Sequence, residues 1–103
     1  MTANDEYIAL ARDKLCKDDG YEYIDNGDDC EDAAKYFGKP FQNSGNHGDD
    51  RPKGCFFEQE LVYFNTNQND VRHGLVFPIC KGKGNLKRGY KYIRYITDNV
   101  KIL

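Results

Sequence analysis

Apolar residues in this chain come in short bursts, separated by polar, Asn-rich segments. Between Lys53 and Lys81 the bursts fall at residues 55–57, 61–64 and 75–79. Each has the length of a strand and is rich in aromatic and β-branched residues, which suit a half-buried pleated surface. The stretch predicts an antiparallel meander that carries the other elements. Upstream, Tyr7, Ile8, Leu10, Ala11 and Leu15 recur at helical spacing behind a cap at Thr2 or Asn4, with Asp5 and Glu6 in the first turn. That pattern predicts a first helix, stopped by Asp18-Asp19-Gly20. Residues 21–24 read as a short strand and 25–28 as a turn. A second helix is predicted over about 29–37. Asp28 and Glu31 form its capping box, Cys30, Ala33, Ala34 and Phe37 its buried face, and Gly38 and Pro40 its end.

Residues 42–54 lack periodicity and read as a long polar loop. Gly54 marks a place where backbone approaches backbone. Residues 89–97 predict a last strand with ring or aliphatic groups on both faces, followed by the apolar tail Val100-Lys101-Ile102-Leu103. The expected architecture is α+β: two helices packed on an antiparallel sheet of four to five strands, in one domain over 1–103. A body spans 7–81 and a basic extension 82–103.

Composition sharpens this picture. A chain of 103 residues buries a modest share of its surface and benefits from covalent staples. It has 8 Tyr, 6 Phe and no Trp, so large rings supply much of the core. The four cysteines follow C-x13-C-x24-C-x24-C. The absence of a C-x2-C pair disfavours a zinc ribbon or a thioredoxin motif and favours two disulfides in an oxidising compartment. No run is long and apolar enough to span a membrane. No signal-peptide pattern opens the chain, so a secreted protein is expected here in its mature form or with an added Met1. Charge is uneven: residues 1–80 carry 8 basic and 16 acidic side chains, residues 81–103 carry 7 basic and 1 acidic. The basic end suits either the acidic body or an acidic partner.

Asp28-x-Cys30-x-x-Ala33-Ala34 with Gly38, Lys53-Gly54-Cys55, Val62-Tyr63-Phe64-Asn65 and Pro78-Ile79-Cys80-Lys81 together resemble a small cysteine-containing domain of extracellular proteins of algae and other protists. The resemblance covers roughly residues 7–81 and implies a secreted or luminal setting with paired cysteines. It carries over no activity, ligand or catalytic residue. Four cysteines admit three pairings. The expected element positions favour Cys16–Cys80, tying the first helix to the last meander strand, and Cys30–Cys55, tying the second helix to the first.

Four chemistries are open to these residues. An RNase-like hydrolase would use His73 or His47 with Arg72, Glu58, Glu60 and Tyr63, an acid–base set with a phosphate-binding cation. No diagnostic spacing supports it, and an acidic body repels a polyanion. Calcium would draw on Asp18, Asp19, Asp25, Asp28, Asp29, Asp49 and Asp50, hard oxygens near turns that match no EF-hand loop. A carbohydrate or small ligand would meet Tyr63, Asn65, Asn67, Asn69 and Asp70. The basic end would serve a protein partner or a second copy: Tyr92, Ile93, Tyr95, Val100 and Ile102 as contacts, and Lys87, Arg88, Lys91 and Arg94 steering an acidic surface. Nucleic acid is disfavoured in an oxidising compartment. The reading is a non-catalytic interaction or structural module of an extracellular or luminal assembly, with no catalytic residue, metal or cofactor. A carbohydrate- or ligand-binding domain is the alternative, and a hydrolase the third.

Overall fold

The computed structural model describes residues 6–84. In chain order they form β1 (Tyr7–Ala9), a 3₁₀ turn (Cys16–Asp19), β2 (Glu22–Tyr23), α1 (Gly27–Phe37), β3 (Phe41–Gly45), β4 (Gly54–Glu58), β5 (Leu61–Asn65) and β6 (Phe77–Lys81). The strands make one sheet in the order β1-β6-β4-β5-β3, with β2 also paired to β6. The segment predicted as the last strand, and with it Tyr92, Ile93, Tyr95, Val100, Ile102, Lys87, Arg88, Lys91 and Arg94, lies outside the described residues.

The meander is the part that local pattern specifies best. The 61–64 burst lies wholly inside β5, and β4 adds one residue to either side of the 55–57 burst. In the third burst the strand begins only at Phe77, leaving Leu75 exposed and Val76 buried beside it. β4 and β5 form a hairpin in which Glu58 faces Leu61, and β4 pairs antiparallel with β6 through Cys55↔Ile79 and Phe57↔Phe77.

Three expectations are corrected. Among the described residues there is one α-helix, not two. The predicted first helix is instead the strand β1, a turn with Asp13 at φ 64°, and a 3₁₀ turn. Its backbone donors are claimed from a distance: β1 pairs antiparallel with residues 79–81, Leu10 N–H donates to Pro78 O at 2.9 Å, and Asp13 N–H to His73 O at 3.1 Å. The sheet is mixed rather than antiparallel, and larger than predicted, with six short strands. Its parallel pair comes from β3, which occupies the start of the supposed 42–54 loop beside β5. The helix cap is Asn26, whose side chain accepts from Asp29 N–H at 2.8 Å, and not Asp28. An extended Asn26 puts an amide oxygen at the first orphan donors, which a helix N-terminus needs. Gly38 ends α1 in the left-handed region at φ 68°, as a C′ glycine does.

Two layers flank the sheet. On one side α1 buries Cys30, Ala33 and Ala34 against Ile24, Cys55, Val62, Phe64, Ile79 and Tyr7. The alanines let the helix lie close. On the other side Leu10, Cys16 and Cys80 pack with Ile8, Tyr21 and Tyr23. Each layer carries one disulfide, Cys30–Cys55 under the helix and Cys16–Cys80 under the 3₁₀ turn, the pairing that the sequence favours. Loops closed across 64 and 25 residues are each worth roughly 4 kcal/mol taken alone, and less together because one loop encloses the other.

β4 and β2 share one edge of β6: β4 lies along residues 77–79 and β2 along 80–81. The two meet at Gly54, which has φ 83°, and a Cβ there would lie 2.9 Å from Ile24 O. Only glycine fits this junction of two backbones.

The β4–β5 hairpin turns through Gln59 and Glu60, at φ 52° and 69°. Two left-handed residues are what a two-residue hairpin of this twist requires, and Asn-Gly supplies them with least strain. The double substitution Q59N/E60G should therefore stabilise the fold by about 1 kcal/mol, offset slightly by loss of the exposed Lys39–Glu60 pair. Urea denaturation reads this directly, and an unchanged or lowered midpoint means that the turn stores no strain.

Candidate functional site

The Asn-rich segment after β5 acts first as architecture. Asn65 is fully buried. Its Oδ1 accepts from His47 N–H at 2.9 Å and Asn67 N–H at 3.1 Å, while its Nδ2 donates to Pro52 O at 3.1 Å and Gly48 O at 3.4 Å. One side chain thus holds the 46–53 loop and the 66–69 loop to the end of β5. Asn67 repeats the device by accepting from Asn69 N–H at 2.8 Å, and it donates to Asn46 Oδ1 at 3.3 Å. Asn and Asp side chains close such turns by mimicking a backbone carbonyl. His47 caps the same region, edge-on to Tyr63 and Phe56, whose rings stack on each other at 5.3 Å. Burial holds the His47 imidazole below its ordinary pKa, against a hydrogen bond to the Asn43 backbone that raises it.

Beside these loops, where β2 meets β4, lies a pocket of about 190 Å³. Its walls are the apolar Ile24 and Phe64, the backbone of Gly54, and four polar side chains: Tyr23, Asp25, Lys53 and Gln68. Asp70 braces it from behind, accepting from the Tyr23 hydroxyl and from Lys53 N–H. Lys53 Nζ stands 4.6 Å from the centre of the Tyr23 ring, a cation–π arrangement. Burial, with the Asp70 hydrogen bond second, pushes the Tyr23 phenol up to about 12. At neutral pH it is therefore a fixed donor to Asp70. The pocket offers a carboxylate acceptor, an ammonium donor and an amide of both kinds above an apolar wall.

The residues expected to meet a ligand are redistributed. Asp70 is a brace, Asn65 is buried, Tyr63 is half-buried under His47, and Asn67 and Asn69 shape the loop. The side chains that line the pocket, Tyr23, Asp25, Lys53 and Gln68, come from three distant stretches. In the sequence only Asp25, a carboxylate near a turn, and Asp70, the brace behind the pocket, point to this site. The acid–base set is dispersed as well. Arg72 forks onto Asp18, which holds that carboxylate below its usual range. Arg51 forks onto Glu58 at 3.0 and 3.2 Å. Glu60 pairs with Lys39, and His73 Nδ1 accepts from Leu75 N–H within its own turn. Of the carboxylates suited to calcium, Asp18 is held by Arg72, Asp19 by Lys14 and Asp50 by Arg51, while Asp25 and Asp29 share the Asn26 amide. Among the described residues no group of three or more His, Cys, Asp or Glu is placed to hold a metal ion, and no helix is long and apolar enough to cross a membrane.

Asn65→Ala leaves two loop N–H groups and two carbonyls without their partner, which should cost about 3 kcal/mol. Hydrogen exchange should speed up first at the His47 and Asn67 amides. Unchanged protection there sinks the assignment of Asn65 as the loop anchor.

The Tyr23 phenol predicts a loss of stability at alkaline pH. Its folded pKa, about 12, lies above the unfolded value near 10, so its contribution is complete below pH 10 and lost as pH rises through 12. The difference in unfolding free energy between the natural protein and Tyr23→Phe should shrink over that interval. A constant difference contradicts it.

No family model matches the chain, and neither a curated protein nor a solved structure matches it.

Proposed function

We propose that the chain is a non-catalytic interaction module of a secreted or luminal assembly, and that it grips a carbohydrate or similarly hydroxylated group in the pocket between Tyr23 and Lys53. The observation that carries this reading is the pocket itself, with half of its wall apolar and half built of mixed donors and acceptors. A sugar has an apolar C–H face and hydroxyls that both donate and accept. Asp25, Lys53 and Gln68 answer the hydroxyls, and Phe64 and Ile24 answer the C–H face. The braces on the site matter as much as its lining. Asp70 fixes the Tyr23 hydroxyl and the Lys53 backbone, and Asn65 the 66–69 backbone, before any ligand arrives, so little ordering is left for binding to overcome. Two disulfides support an oxidising compartment. The engagement of Arg72, Glu58 and His73 by separate partners favours binding over hydrolysis.

A glycan array followed by calorimetry tests the proposal. Lys53→Ala and Gln68→Ala each remove one hydrogen-bonding group at the pocket wall, and each should weaken a positive glycan about tenfold with the fold intact. His73→Gln should leave affinity as it is, and the bound sugar should be recovered intact. An array without a single saturable ligand, or binding indifferent to both pocket substitutions, rejects the carbohydrate reading. Cleavage of the glycan rejects the non-catalytic one.

A further inference from the structure

The helix side of the sheet holds a second cavity of different chemistry. It measures about 160 Å³ and is walled by Ala9, Phe37, Phe57, Val62 and Ile79, with Lys39 as its polar group. It lies where α1 runs out. The helix packs over β3, β5 and β4, and Gly38 then turns the chain away. Phe37 and Phe57 are left partly buried and Ala9 exposed.

Lys39 lines this opening, and a second cation, Arg12, stands one ring away from it. Lys39 Nζ lies 5.5 Å from the centre of the Phe57 ring, and the Arg12 guanidinium 5.3 Å from that of Phe77, the ring next to Phe57 at 5.8 Å. Residues 6–84 carry 10 basic and 15 acidic side chains, so a cationic rim runs against the charge of the body. Lys39 already holds a carboxylate, that of Glu60 at 2.9 Å, but Glu60 is 78% exposed. An exposed pair of this kind is weak and easily exchanged. Glu60 therefore stands in for an acid group that a ligand can bring.

We propose that this cavity binds a small aromatic carboxylate. The ring enters between Phe37, Phe57 and Ile79, and the carboxylate takes the place of Glu60 on Lys39, with the charge of Arg12 nearby favouring an anion. Size agrees with one ring: a cavity of about 150 Å³ lined by aliphatic and aromatic side chains holds benzene. Charge selects the acid over its neutral analogue. The site is independent of the pocket at Tyr23 and shares no lining residue with it.

Phenylacetate and its neutral analogue 2-phenylethanol are the probes, titrated into the full chain and followed by NMR at the Ala9, Val62 and Ile79 methyls. Phenylacetate should give saturable shifts, with 2-phenylethanol at least fivefold weaker. Lys39→Ala should weaken phenylacetate about fivefold and leave the alcohol unchanged. Glu60→Gln should tighten phenylacetate about twofold by removing its competitor. Ala9→Leu, at an exposed strand position, should fill the cavity and abolish binding of both with the fold intact, and Lys53→Ala should have no effect. Equal affinity for acid and alcohol, shifts that never saturate, or insensitivity to Ala9→Leu overturns the proposal. So do contacts in the free protein from residues 85–103 or a second copy to the Phe57 ring, because protein then fills the cavity.

Discussion

Both edges of β6 are satisfied by backbone from elsewhere in the chain, and most of the fold follows from that. One edge takes β1. The other takes β4 along residues 77–79 and β2 along 80–81. Buried backbone groups need partners, and in a domain this small few segments are available to provide them. The N-terminal segment is drawn into extended form for this reason, although its apolar spacing suits a helix. Pro78 lacks an N–H but still offers its carbonyl to Leu10. Cys16–Cys80 then ties the recruited segment to β6 covalently, so the pairing survives with a strand of three residues.

The second organising group is the Asn65 amide. It sits at the end of β5, where the ladder stops and loop backbone would otherwise lie buried without partners. Its four hydrogen bonds convert two connections into one rigid surface. The Phe56–Tyr63 stack and the His47 ring give that surface an apolar base. The polar pocket inherits its shape from this arrangement, since Lys53 and Gln68 belong to the two connections that Asn65 joins. Asp70 completes the link by bonding both Lys53 and Tyr23.

The two faces of the sheet are thereby given different chemistry. Among the described residues the helix face carries an apolar opening with Lys39 at its wall. The loop side carries the 3₁₀ turn, the aromatic stack and most of the side-chain hydrogen bonds. At the junction of β2 and β4 the polar pocket opens. Each face has its own disulfide, and each pocket lies near one: Cys55 follows Gly54 of the polar pocket, and it pairs across the sheet with Ile79 of the apolar one. A ligand at either site would therefore meet walls that move little.

What the sequence determined by itself is what depends on neighbours in the chain. The bursts at 55–57 and 61–64 became strands because their period and residue types suit a pleat. Gly38 and Pro40 ended α1, and Cys30, Ala33 and Ala34 faced the core, because helical spacing is local. Gly54 announced a close backbone contact, since no other residue could make one there. Tertiary structure decided the rest. Residues 7–15 carry a helical stripe, but hydrogen bonds to β6 and to His73 outweigh a propensity worth a few tenths of a kcal/mol per residue. Residues 42–45 look like loop, having almost no apolar pattern, and are extended because β5 offers a parallel edge. The pocket joins Tyr23, Lys53 and Asp70 across 47 residues. Nothing in the spacing of those three indicates that they meet, because their proximity is set by which strands share β6 and not by any periodicity along the chain.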